Sequence, residues 1–174
     1  GRQAGKSFVS VIKAFTFCLN HPKARGALVA PTYKQVKNVF LPHMQHCFGS
    51  IEGRLWRFHR GDMAVRFLHN GAHLLLLSAD NPDSLRGPSL AFWGLDEARA
   101  PFMQEAFLIL QHCLTQEGYP HQGWVTSTPA GPAHWLYERW VQHRSPQGTG
   151  LNPDNYPIFR LRTKDNWHLP AEHF

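Results

Sequence analysis

Apolar side chains cover nearly every face of residues 6–20, where Phe8, Val9, Val11, Ile12, Phe15, Phe17 and Leu19 follow one another closely. A helix that is apolar all round is a buried helix, and Pro22 marks its end. Residues 27–30 form a short apolar run ahead of Pro31 and read as a buried strand. Residues 33–48 read as a second helix with Lys34 and Lys37 on a basic face. Two β-prone runs, 63–69 and 72–78, meet around Asn70-Gly71, the strongest short-range hairpin signal. The apolar run 90–95 ends in Asp96-Glu97, as a central strand carrying acids at its C-terminal end would. A helix is expected over 102–114, a strand over 123–127 stopped by Pro129 and Gly131, an amphipathic helix over 133–143 and a last strand over 157–162. Residues 145–157, rich in Pro, Gly and Asn, read as a loop. Strands alternating with helices predict an α/β fold built on a mainly parallel sheet.

The chain has 174 residues, of which 43% are hydrophobic, enough for a real core in one domain. Lys and Arg number 18 against 12 acids, for a formal charge of +6. That balance suits a polyanionic partner, nucleic acid or an anionic membrane surface. No apolar run approaches the roughly 20 residues that span a bilayer, and residues 1–7 do not read as a signal peptide. Cys18, Cys47 and Cys113 are odd in number and far apart, and fit reduced thiols better than a disulfide framework.

Gly1-Arg2-Gln3-Ala4-Gly5-Lys6-Ser7 ends in Gly-Lys-Ser and runs straight into a helix. Glycine lets backbone N–H groups approach phosphate oxygens. The helix N-terminus adds roughly half a unit of positive charge. The lysine would bridge β- and γ-phosphates, and the serine would ligate Mg²⁺. The usual G-x-x-x-x-G-K-[ST] spacing is not met between Gly1 and Gly5, so the motif is a variant or its first position lies before Gly1. Asp96-Glu97 has the form of a metal-holding aspartate followed by a water-activating glutamate. Ala30-Pro31-Thr32-Tyr33 and Thr126-Ser127-Thr128-Pro129 follow strands. In isolation both would be turn-forming loops, and their order relative to the phosphate motifs gives them weight.

Taken together, residues 1–7, Ala30-Pro31-Thr32-Tyr33, Ser84-Leu85-Arg86-Gly87, Leu95-Asp96-Glu97-Ala98 and Ser127-Thr128-Pro129-Ala130-Gly131 resemble the large terminase subunit that packages DNA in tailed phages. The family's early arginine in the phosphate loop is matched by Arg2, its Arg-Gly before the acidic pair by Arg86-Gly87, and its coupling motif by Ser127-Thr128-Pro129. The resemblance covers nearly the whole chain. It departs at Thr163-Lys164-Asp165-Asn166-Trp167-His168-Leu169, where Trp167 stands for a proline and the spacing is one residue shorter.

The resemblance implies a P-loop NTPase fold, a mainly parallel sheet flanked by helices with a hairpin near residues 63–78. It implies an ATPase that couples hydrolysis to translocation of double-stranded DNA into a procapsid, with ATP and Mg²⁺ as its cofactors. Gly1, Arg2, Gln3, Ala4, Gly5, Lys6 and Ser7 would bind ATP, and Ser7 and Asp96 would hold the metal. Glu97 would activate water, Arg2 would stabilise the γ-phosphate and Arg86 would reach a neighbouring subunit's ATP. Ser127, Thr128 and Pro129 would couple hydrolysis to DNA movement. The implied partners are DNA, a portal protein, a small terminase subunit and copies of itself in a ring, with no membrane, in the cytoplasm of an infected bacterium. Residues 1–174 would be the ATPase domain, without the strand preceding the phosphate loop and without the family's C-terminal nuclease domain. Such a fragment is expected to hydrolyse ATP weakly or not at all. A helicase-like DNA- or RNA-dependent ATPase, and a non-catalytic nucleic-acid-binding module with a degenerate P-loop, are the alternatives.

Three side signals add little. His43-x-x-His46-Cys47 has metal-ligand residue types but no second cluster at zinc spacing, so it reads as a polar helix face. Trp124, Trp135, Tyr137 and Trp140 could stack on bases, but core packing is the commoner use. Thr163-Lys164-Asp165-Asn166 approximates a guanine-selecting motif, yet Asn166 stands where aspartate is required, favouring ATP over GTP.

Overall fold

In a computed structural model, the structure describes residues 5–162 and residue 165. Helix α1 (Lys6–Asn20) leads into strand β1 (Arg25–Ala30). A continuous helical stretch follows: α2 (Tyr33–Gln35), a wide π turn (Val36–Phe40) and α3 (Leu41–Phe48). Next come β2 (Trp56–His59), β3 (Ala64–Phe67), β4 (His73–Ser78), β5 (Phe92–Leu95), α4 (Met103–His112), β6 (Gln122–Val125) and α5 (Trp135–Trp140). The six strands make one sheet in the order β2-β3-β4-β1-β5-β6. Strands β4, β1, β5 and β6 run parallel, and β2, β3 and β4 form an antiparallel meander at one side.

The mainly parallel α/β architecture is the expected one. Helices α1 and α3 pack on one face with Phe15, Phe40, Trp56, Leu74 and Phe92, and α4 and α5 pack on the other with Trp93, Leu95, Phe107 and Leu110. The sheet is covered on both sides, so its centre reads as continuous hydrophobic sequence. Strand β1 is the extreme case, with every residue after Arg25 buried.

Several expectations are corrected. Helix α1 is not buried all round: Ser10, Val11, Ala14, Phe15, Phe17 and Cys18 form a buried stripe, while Val9 is 54% exposed and Lys13 and Thr16 face outward. The helix lies flat on one sheet face, and its outer side meets solvent. The helix over 33–48 exists, but it widens at Val36–Phe40. Pro42 has no N–H to give to the carbonyl of Asn38, and the wider turn ahead of it accommodates that loss. Strand β2 is an addition to the expected elements, although Trp56-Arg57-Phe58-His59 alternates apolar and polar before Gly61.

The hairpin joins β3 to β4, but through residues 68–71 rather than a two-residue Asn-Gly turn, with the Gly71 N–H donating to Phe67 O at 2.9 Å. Asn70 is used elsewhere. Its Nδ2 donates to Cys18 O at 2.7 Å and to Leu19 O at 3.3 Å, and its Oδ1 accepts from the Ala72 N–H. It thereby caps the carbonyl end of α1, whose last C=O groups have no partner within the helix.

Residues 157–162 form no strand: Ile158, Phe159 and Leu161 are 44%, 88% and 47% exposed. Their β-prone composition has no neighbouring strand among the described residues to satisfy its N–H and C=O groups. Helix α5 is shorter than 133–143. The His134 side chain caps its start by accepting from the Leu136 N–H, and His143, in the left-handed region at φ 51°, follows its end. No helix among the described residues is long and apolar enough to cross a membrane.

Aromatic residues and glycines alternate across the parallel strands. Gly26 sits opposite Phe92, Gly123 opposite Trp93, and Gly94 opposite Trp124. A Cβ at Gly94 would come within 2.6 Å of the Trp124 indole and 2.7 Å of Leu28 Cδ2. Trp124 also stacks on Phe92 and donates from Nε1 to Ser10 Oγ at 2.7 Å, and Trp135 and Trp140 pack on Phe107. These tryptophans serve the core. Overpacking of this kind costs about 1–3 kcal/mol, so Gly94→Ala is expected to lower unfolding free energy by that amount. Chemical denaturation of the chain measures it, and an unchanged midpoint would contradict the packing.

Candidate active site

Gly5 precedes α1 with φ 76°, the left-handed region that glycine enters without steric cost. From there the chain turns into the helix, and the Val9 N–H donates to Gly5 O at 2.9 Å. The N–H groups of the first turn have no partners within the helix and suit an anion. Lys6 and Ser7 occupy that first turn. Gly1, Arg2, Gln3 and Ala4 lie outside the described residues, as do 163–169 except residue 165.

Ser7 is joined to the far part of the chain. Its Oγ donates to Asp96 Oδ2 at 2.6 Å. Asp96 immediately follows β5, and its N–H donates to Val29 O at 2.8 Å, fixing it to the end of β1. Its other oxygen, Oδ1, accepts from the Thr126 hydroxyl. Asp96 is 3% exposed. A buried carboxylate needs such partners to offset its lost hydration.

Glu97 stands at φ 49°, a left-handed conformation that costs a non-glycine residue about 1–3 kcal/mol and tends to persist at functional sites. A tight turn follows, in which the Ala100 N–H donates to Glu97 O at 3.0 Å. Ser7, Pro31, Gln35, Asp96, Glu97 and Thr128 line one cleft of about 600 Å³. The fold thus brings together Ser7, Asp96, Glu97, the segment after β1 and the segment after β6. Ser7 and Asp96 supply adjacent oxygen donors of the type hard divalent cations take.

Arg86 is not part of this cleft. It follows a 3₁₀ turn (Pro82–Leu85), is exposed, and donates from Nε to Asp83 Oδ1 at 2.8 Å. Ser127 Oγ donates to Thr128 O at 2.9 Å, and Pro129 is exposed. His43 on α3 lies edge-on to Phe8 with ring centroids 5.7 Å apart. Burial lowers its pKa, against the pull of the Asp96 charge, and His46 adds to the lowering. Two contacts of the site lie beyond sequence reasoning. One is the bond of the Thr126 hydroxyl to Asp96, and the other is the place of Arg99 in the cleft beside Glu97. Only the parallel register of β5 and β6, Leu95 against Val125, brings them into place.

Residues 1–164 match the family described as Terminase large subunit, T4likevirus-type, N-terminal. The large terminase subunit of Thermus phage G20c is 30% identical over 158 residues, covering 79% of this chain and 31% of that protein. That of Thermus virus P23-45 matches to the same extent. The chain therefore spans about a third of the length of these curated relatives. Among solved structures, the large terminase of a thermophilic bacteriophage in complex with ADP superimposes with a TM-score of 0.78 at 17% identity, covering 99% of this chain and 41% of that one. The complex of the same phage protein with ATP-gamma-S gives 0.76 at 20% identity, covering 99% and 40%. The ATPase domain of the Thermus phage P74-26 large terminase gives 0.61 at 23% identity, covering 88% and 70%. These likenesses establish the fold.

The hydroxyl of Thr126 has a direct consequence for stability. Thr126→Val keeps the shape and leaves Asp96 Oδ1 without that donor, a loss of about 1–3 kcal/mol for a buried acceptor. Denaturant unfolding should show it, and unchanged stability would remove Thr126 from this role.

Proposed function

Because the chain belongs to the family of terminase large subunits, we propose that it is the ATP-hydrolysing motor domain of a viral DNA-packaging enzyme. The observation that carries the reading is the hydrogen bond from Ser7 Oγ to Asp96 Oδ2, at a helix N-terminus and beside Glu97 in one cleft. The thermophilic phage terminase, solved with ADP and with ATP-gamma-S, supports a nucleotide as the ligand of this cleft.

In this reading the N–H groups at the start of α1, the Lys6 ammonium and the loop residues Gly1 to Gly5 bind the phosphates. Arg2 stabilises the γ-phosphate. Mg²⁺ would be held by the Ser7 hydroxyl and the Asp96 carboxylate, and when bound it supplies positive charge against the phosphate oxygens. Glu97 orients a water and takes its proton as the water oxygen bonds to the γ-phosphorus. The bond from that phosphorus to the bridging oxygen breaks, leaving ADP and phosphate. Arg86, exposed and away from its own cleft, is suited to reach the site of a neighbouring copy in a ring. Residues 127–129 couple the cycle to movement of double-stranded DNA, gripped through its phosphates. The proposed setting is a procapsid in the host cytoplasm, with a portal protein and small terminase subunit as partners.

Glu97→Gln in the full-length protein should keep ATP binding and lower turnover by about 10²-fold or more. Turnover at the original rate would take Glu97 out of the mechanism. Mixing inactive Arg86→Ala subunits with inactive Glu97→Gln subunits should restore part of the ATPase rate, because some interfaces then pair an intact Arg86 with an intact Glu97. A mixture as inactive as its components would rule out action between copies.

A further inference from the structure

The loop after β5 and the loop after β6 are stitched together in steps. The Thr126 N–H donates to Leu95 O at 2.8 Å, and the Ala98 N–H donates to Thr126 O at 3.1 Å. The first continues the ladder of the parallel strands, and the second is a loop contact beyond Glu97, where that ladder has ended. Beyond them the connection passes to Arg99. Its N–H donates to Ser127 Oγ at 3.1 Å, and its Nη1 donates to Thr128 Oγ1 at 3.3 Å.

Arg99 is exposed, and no ion pair among the described residues involves it. Its guanidinium is therefore not placed by an acid among the described residues. It shares a tight turn with Glu97, whose carbonyl accepts from the Ala100 N–H. Glu97 is in the left-handed region, so relaxing it toward ordinary helical or extended backbone requires a large change in φ. Such a change re-aims the residues of the turn, Arg99 among them. Asp96 is held by its own buried bonds and does not need to move.

We propose that Arg99 is a positioning residue that carries the backbone state of Glu97 to Thr128. The inference rests on the proposed roles of Glu97 in hydrolysis and of Thr128 in coupling. It adds the physical connection between them. The bond is long at 3.3 Å, exposed to water and not an ion pair, which lets it form and break within a cycle. Residues 127–129 would then follow the catalytic loop through Arg99, by its N–H at Ser127 and its guanidinium at Thr128.

The test uses the full-length protein with Mg²⁺, ATP and duplex DNA, and reads the ratio of kcat with DNA to kcat without it. Arg99→Ala and Thr128→Val should each lower that ratio by about fivefold or more, and the double variant should lower it no further, the signature of two groups acting as one unit. Arg99→Lys, which keeps a cationic donor, should recover part of the ratio. A merely structural role would not produce that pattern. An unchanged ratio in Arg99→Ala, or losses that multiply in the double variant, overturns the connection. A wild-type enzyme that DNA does not stimulate, or a Glu97→Gln enzyme that still turns over, fails at the underlying reading and removes the proposal with it.

Discussion

The bond between Ser7 and Asp96 ties together parts of the chain that are 89 residues apart. One end is the first turn of a helix, whose N–H groups point along the axis and attract an anion. The other is a carboxylate buried at the C-terminal end of a central strand. Neither end is useful alone: the helix end is a general anion site, and the carboxylate a general cation site. Held 2.6 Å apart, they define a place where a phosphate and a divalent cation can be bound side by side. That juxtaposition requires α1 to sit on the sheet at one height and in one orientation.

The height is set by packing. Aromatic rings on β5 and β6 fill the space left by glycines on neighbouring strands, Phe92 at Gly26, Trp93 at Gly123 and Trp124 at Gly94. Trp124 then donates to Ser10, one turn along α1 from Ser7. Helix and sheet are thus fastened at a second point. At the other end of α1, Asn70 caps the carbonyls of Cys18 and Leu19 from the tip of the hairpin. The antiparallel meander contributes in this way to the placement of the cleft without lining it.

Much of this is legible in the residues because it depends on local patterns. The buried parallel strands show as apolar runs, the acidic pair falls where a strand ends, and Gly5-Lys6-Ser7 opens a helix. What escapes depends on neighbours. Residues 157–162 have strand composition and no strand beside them among the described residues. Strand β2 is four residues long and easily missed between glycines at 53 and 61, although Trp56 is buried and paired with Phe67. The outward face of α1 carries Val9, which sequence alone assigns to the core. The contacts of Thr126 and Arg99 follow only once the register of β5 against β6 is fixed, and no single segment encodes that register.

The site also divides into a rigid part and a yielding part. Asp96 is buried, bonded through both carboxylate oxygens and through its N–H, so displacing it would break several interactions at once. Glu97, its immediate neighbour, is partly exposed and sits in a strained backbone conformation. Strain of this kind persists where the surroundings enforce it, and it lowers the cost of leaving. A motor of the proposed kind needs both properties within a few residues. The group that holds a cation must keep its geometry through the cycle, while the group that meets the water must be able to signal that the reaction has occurred. Placing the boundary between Asp96 and Glu97, at the last residue that the sheet ladder secures, would give the proposed enzyme a fixed metal ligand and a movable acid from one short loop.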